Sequence, residues 1–118
     1  LSTDPRFSRL PLSREHREGT AVARPGFVYI MASQRNGTIY LGVTSNLPGR
    51  TWQHRNCFIK GFTKTHGCKL LVWFEAHDDI QDARARERQL KKWNRLWKLQ
   101  LIESFNPTWK DLYESIAH

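Results

Sequence analysis

Residues 26–54 read GFVYIMASQRNGTIYLGVTSNLPGRTWQH. Phe27 to Met31 is a β-branched and aromatic run, the composition of a strand. Asn36-Gly37 is the strongest short hairpin signal, and Thr38 to Val43 supplies the return strand. Side-chain alternation puts Val28 and Ile30 on one face of the first strand, and Ile39, Leu41 and Val43 on one face of the second. Tyr29 and Tyr40 take the opposite faces of those runs. With Arg35 paired to Thr38, Tyr29 would lie opposite Thr44 and Tyr40 opposite Ser33, leaving both tyrosines on one side of the hairpin. Thr44-Ser45-Asn46 can cap a helix, and Pro48 suits its first turn, so a helix is predicted over about 47–56. On it Arg50 and His54 stand four residues apart, on one face.

Outward from this unit, residues 61–67 read as loop and KLLVWFE (69–75) as a third strand. Its nearly unbroken apolar run predicts a central position. Asp78-Asp79 can cap a second helix over about 80–92, and a third runs over about 94–104, ended at Asn106-Pro107. A last short helix is expected within 109–116. The second helix carries an anomaly. Its apolar stripe is Ile80, Ala83 and Leu90, and the helical repeat needs a member at 87, which is Glu87. A carboxylate there costs several kcal/mol unless it is compensated. It lies at the edge of the stripe, pairs with a buried Arg, or faces a cleft where a metal binds. The fold class expected is α+β, a small three-stranded antiparallel sheet flanked by helices, over 26–118. Residues 1–25, rich in Pro, Ser and Arg, read as a flexible basic tail.

At 118 residues the chain holds one domain. No apolar run approaches the ~18 residues of a membrane span. A net charge of +8 and a pI near 10.0 favour a polyanionic partner, nucleic acid first and an anionic membrane surface second. Cys57 and Cys68 form no CxxC, and with His54 and His66 they match no zinc-finger spacing. Two cysteines without a disulfide pattern point to a reducing cytoplasm.

Phe27-Val28-Tyr29, then Tyr40-Leu41-Gly42 eleven residues on, then Thr44-x-x-Leu47-x-x-Arg50-x-x-x-His54, with Glu87 in Ala-Arg-Glu and Asn106 in Asn-Pro-x-Trp, resembles the signature of the GIY-YIG nuclease superfamily. The likeness covers roughly 26–113 and is nearest to the small stand-alone bacterial members. It departs from the pattern at Gly26, displaced by one, and at Val43, where some repair-type members carry Lys. Lys64 in the following loop is the candidate replacement. The resemblance implies a DNA endonuclease that uses Mg2+ (or Mn2+), with Tyr29, Tyr40, Arg50, His54 and Glu87 catalytic, Glu87 the metal ligand and Asn106 near the substrate.

Those residue types suit the chemistry. A hard cation that keeps most of its waters needs only one carboxylate. Arg50 can grip two non-bridging phosphate oxygens at once. A tyrosine with a free pKa near ~10 is a poor base at neutral pH, so a cation must lower it or His54 must take its proton. Either tyrosine can fill that role, the other bonding phosphate or water. Arg84, Arg88, Lys91 and Lys92 flank Glu87 and can track a DNA backbone; Trp93 and Trp97 fit the core better than base stacking. The competing readings are a catalytically inactive nucleic-acid-binding module on the same fold, and a partner-binding domain whose charge is incidental. Symmetric cutting of both strands would require a homodimer.

Overall fold

The computed structural model describes residues 24–56 and 67–116. Lys64, Cys57, His66 and nearly all of the expected tail lie outside them. Among the described residues the order is β1 (Gly26–Ala32), β2 (Ile39–Thr44), α1 (Leu47–Arg55), β3 (Leu70–His77), α2 (Ile80–Lys91), α3 (Arg95–Phe105) and a single turn, α4 (Tyr113–Ile116). The strands form one antiparallel sheet in the order β2-β1-β3, flanked by helices as the sequence predicts.

The hairpin differs from the expected register by two residues. Tyr29 faces Gly42 and Met31 faces Tyr40. The turn takes four residues, 34–37, closed by Gly37 N–H to the Gln34 carbonyl at 2.9 Å and Ser33 N–H to that of Thr38 at 2.9 Å. Asn36 alone adopts the left-handed conformation, with φ 58, which Asn tolerates better than most residues. A slip of two leaves every side chain on its face, so the tyrosines still share one.

The central strand is β1, not β3. Two features explain the apolar run of this edge strand. The pairing with β1 jumps from Ile30–Trp73 to Met31–Leu71, so Val72 is a bulge residue. Val72 and Trp73 then both join the core on one face, while Leu71 joins the core on the other. The outer edge is also covered. Leu112 N–H donates to the Leu71 carbonyl at 2.8 Å, and the Asp111 carboxylate accepts from Leu71 N–H at 3.1 Å. Covering an edge removes a template for unwanted strand pairing.

Each face of the sheet has its own core. Val28, Ile30 and Leu41 pack with Ala83 and Leu90 of α2 and Ile102 of α3. Tyr29, Met31 and Leu71 pack with Leu47 of α1 and Cys68. Fully burying each large aliphatic side chain contributes about 1.5–3 kcal/mol. Gly26 permits the approach of α2, because a Cβ there would lie 2.6 Å from the Ile80 Cα. The expected helix within 109–116 shrinks to α4 because Trp109, buried in the first core, has φ 58. That conformation cannot continue a right-handed helix.

Candidate active site

Tyr29, on the central strand, is fully buried and projects toward α1. Its ring passes over Gly42 on β2: a Cβ at Gly42 would sit 2.7 Å from the phenol oxygen and 2.8 Å from Cζ. A glycine inside a strand run is a signal for such close approach, and here it serves a site residue to which the sequence motif alone gives no reason. Tyr40, partly buried, packs against Tyr29 with ring centroids 6.3 Å apart.

α1 begins where the Asn46 side chain accepts from Gly49 N–H at 3.1 Å. This phasing turns His54 inward, to 1% exposure. Its Nε2 lies 3.0 Å from the Tyr29 hydroxyl, and its ring is 5.6 Å from that of Tyr29 and 5.2 Å from that of Tyr40. Arg50, one turn earlier and partly exposed, acts on the Tyr29 phenol through its positive charge. Glu87 comes from α2 on the opposite face of the sheet, yet its charge is felt at the same phenol. Tyr29, Tyr40 and His54 therefore meet around one hydroxyl, while Glu87 reaches it only through its charge.

The electrostatics separate the partners. Burial pushes the Tyr29 pKa well above the usual tyrosine value, and Tyr40 and Glu87 add to the rise. Arg50 opposes it, chiefly through its charge. Burial, then Arg50, pulls His54 down to about 4. At neutral pH the pair is a protonated phenol beside a neutral imidazole. Accepting at Nε2 requires the ring proton on Nδ1, a buried nitrogen without a hydrogen-bond partner among the described residues. That missing partner also disfavours a lasting imidazolium.

The Glu87 carboxylate is mostly shielded, and Lys91 Nζ lies 3.2 Å from its Oε2 as an i,i+4 pair. Its intermediate exposure and its pairing with Lys91 put it at the edge of the stripe. Among the described residues, no three His, Cys, Asp or Glu side chains gather as a metal cage. A single carboxylate fits a hydrated Mg2+ or Mn2+ and not a structural zinc. Arg84, Arg88 and Lys92 are exposed on and just beyond α2. Arg86, from the same basic run, instead turns toward the sheet and donates to Glu75 at 3.1 Å.

Asn106 has a different occupation from the one the motif suggests. Its amide nitrogen donates to the carbonyls of Val72 at 3.1 Å and Lys110 at 2.7 Å, and its oxygen accepts from Lys110 N–H at 3.1 Å. It caps α3, is 5% exposed, and joins the outer edge of β3. Its side chain stabilises the turn that carries Trp109 and is almost wholly turned away from solvent.

The fold and this side-chain set define a small α+β nuclease-type domain. The chain belongs to the GIY-YIG family: the family described as the GIY-YIG catalytic domain matches residues 25–100. It is similar to a UPF0213 protein of Clostridium perfringens, 37% identical over 78 residues that cover 66% of this chain and 83% of that protein. A UPF0213 protein of Syntrophus aciditrophicus is 35% identical over 82 residues, covering 69% and 92%. One of Staphylococcus haemolyticus is 32% identical over 77 residues, covering 65% and 93%. No solved structure matches the chain. A nuclease domain of this family implies nucleic acid as the class of substrate.

Proposed function

We propose that this protein is a divalent-metal-dependent endonuclease that hydrolyses DNA phosphodiester bonds. The observation that carries the proposal is the buried Tyr29–His54 hydrogen bond of 3.0 Å, with the charge of Arg50 acting on the same phenol. A tyrosine held protonated cannot act as a standing phenolate base. It can relay: its oxygen accepts the proton of the attacking water as its own proton moves to His54 Nε2. Arg50 stabilises negative charge on the phenol and on the non-bridging phosphate oxygens. Phosphate bound at Arg50 offsets the positive charge that holds His54 down, so substrate binding itself makes His54 a better proton acceptor. Tyr40, at the rim of the pair, orients the phosphate or the water.

Glu87 would hold the Mg2+ or Mn2+, which supplies charge stabilisation to the phosphorane and the leaving oxygen. The Lys91 pair with Glu87 is the one observation that favours an inactive binding module. Its lysine is mostly in solvent, so the i,i+4 pair is worth no more than about 1 kcal/mol and does not bar a divalent ion.

The test is incubation of the protein with supercoiled plasmid, branched and single-stranded DNA in Mg2+, Mn2+ or EDTA, beside Glu87→Ala and Arg50→Ala. Cleavage should require metal and disappear in both variants, while Glu87→Ala keeps DNA affinity. Cleavage that survives EDTA or Glu87→Ala refutes the proposal.

A further inference from the structure

We infer that the groove lined by Trp93 and Trp97, where α2 turns into α3, is a stacking site for an unpaired nucleobase, through which the protein engages single-stranded DNA beside its cleavage site. This rests on the nuclease reading and adds a preferred form of substrate. Trp93 behaves as a core residue: it packs against the first core, with the Arg86 guanidinium 5.6 Å from its ring centroid. Trp97 does not. It is 51% exposed, standing edge-to-face to Trp93 with centroids 5.8 Å apart and planes at 89°. An indole half in water is costly unless something covers it. Together with Gln100, Leu101 and Ser104 the two indoles line an open cavity of about 390 Å3, room for a base. The walls are aromatic and aliphatic, and the Gln100 amide places a donor and an acceptor at the rim.

Charge selects the occupant. From Arg88 to Ser104 the sequence contains Arg88, Lys91, Lys92, Arg95 and Lys98 against a single acid, Glu103, whose carboxylate accepts from the Trp109 indole N–H. A second copy of this chain would bring the same cations to the face, on a molecule already at +8, so repulsion opposes a symmetric dimer through the groove. A polyanion with flat apolar groups satisfies both the cations and the indoles, and only an unpaired base presents its face for stacking. The position is also suitable. Trp93 follows Glu87 by six residues, the first four of them along α2, about 6 Å of helix axis, a reach of a few nucleotides.

The experiment measures affinity for oligo-dT and for a duplex of equal length in EDTA, together with metal-dependent plasmid cleavage. Wild type is compared with Trp97→Ala and Trp97→Phe. Trp97→Ala should weaken oligo-dT binding about tenfold or more and leave duplex binding nearly unchanged, and Trp97→Phe should restore most of the loss. Equal oligo-dT affinity in all three proteins, while wild type binds and cuts DNA, overturns the stacking site alone. Loss of affinity for both forms alike, without recovery in Trp97→Phe, overturns it too. A wild type that neither binds nor cuts DNA removes the nuclease reading and this inference together. A wild-type dimer that Trp97→Ala splits would make the groove an interface between copies, and the inference would be wrong.

Discussion

Replacing Gly42 by alanine should disable the site from a strand that supplies no catalytic group at that position. The added Cβ would fall 2.7 Å from the Tyr29 hydroxyl oxygen and 2.8 Å from Cζ. The ring is fully buried and cannot yield as a surface side chain would. Displacing it costs about 1–3 kcal/mol of overpacking. Breaking its bond to His54 leaves a buried donor or acceptor unpaired, about 1–3 kcal/mol more. A combined loss of about 2–6 kcal/mol should lower Tm by roughly 8–24 °C. Displacement of the phenol by about 1 Å should cost on the order of 100-fold in cleavage. Urea or thermal unfolding and plasmid nicking read the two effects. Gly67→Ala is the control. Its methyl meets nothing within 4 Å, although φ is 67; about 1–2 kcal/mol should be lost with cleavage intact. Wild-type Tm and wild-type nicking in Gly42→Ala would refute the close approach and the dependence of cleavage on Tyr29.

Three further outcomes follow from the same geometry. His54 titrates near 6.5 when unfolded and near 4 when folded, so the native state binds fewer protons between those values. Stability should be full above pH 6.5 and fall by on the order of 3 kcal/mol as pH drops toward 4; urea midpoints against pH should show the slope, and His54→Gln should flatten it. Asn106→Ala removes three side-chain hydrogen bonds to backbone and should cost about 2–4 kcal/mol, with the folded fraction cutting DNA at the wild-type rate in a nicking assay under native conditions. DNA affinity measured across salt concentrations should fall with a log–log slope of roughly −5 if about six phosphates are neutralised, and Lys92→Ala should make it shallower by about 1.

The parts of the site read directly from sequence are those carried by local geometry. Tyr29, Tyr40, Arg50 and His54 lie within one hairpin and the helix after it, where strand parity and the i,i+4 repeat decide which side chains share a face. The hairpin register was misjudged by two, because the turn uses four residues with Asn36 in the left-handed region, yet an even slip cannot move a tyrosine to the other face. Glu87 announced itself as a carboxylate on an apolar stripe. What sequence hid depends on tertiary contact. The apolar run of β3 suggested a central strand because neither the bulge at Val72 nor the cover from Asp111 and Leu112 leaves a local trace. Asn106 has the position of a site residue, but its amide bonds only backbone, and no spacing rule distinguishes the two. Trp93 and Trp97 share one pattern; only tertiary packing partly buries the first and leaves the second half in water.

The claim that everything rests on is that a divalent ion held by Glu87 sits beside the Tyr29–His54 pair. Paramagnetic broadening by Mn2+ of the ring signals of Tyr29 and His54, in wild type and in Glu87→Ala, measures this without DNA or turnover. Both rings should broaden steeply at low Mn2+ in wild type and stay sharp in Glu87→Ala. Rings that remain sharp in wild type, or that broaden equally in the variant, would contradict the placement of the ion and the mechanism built on it.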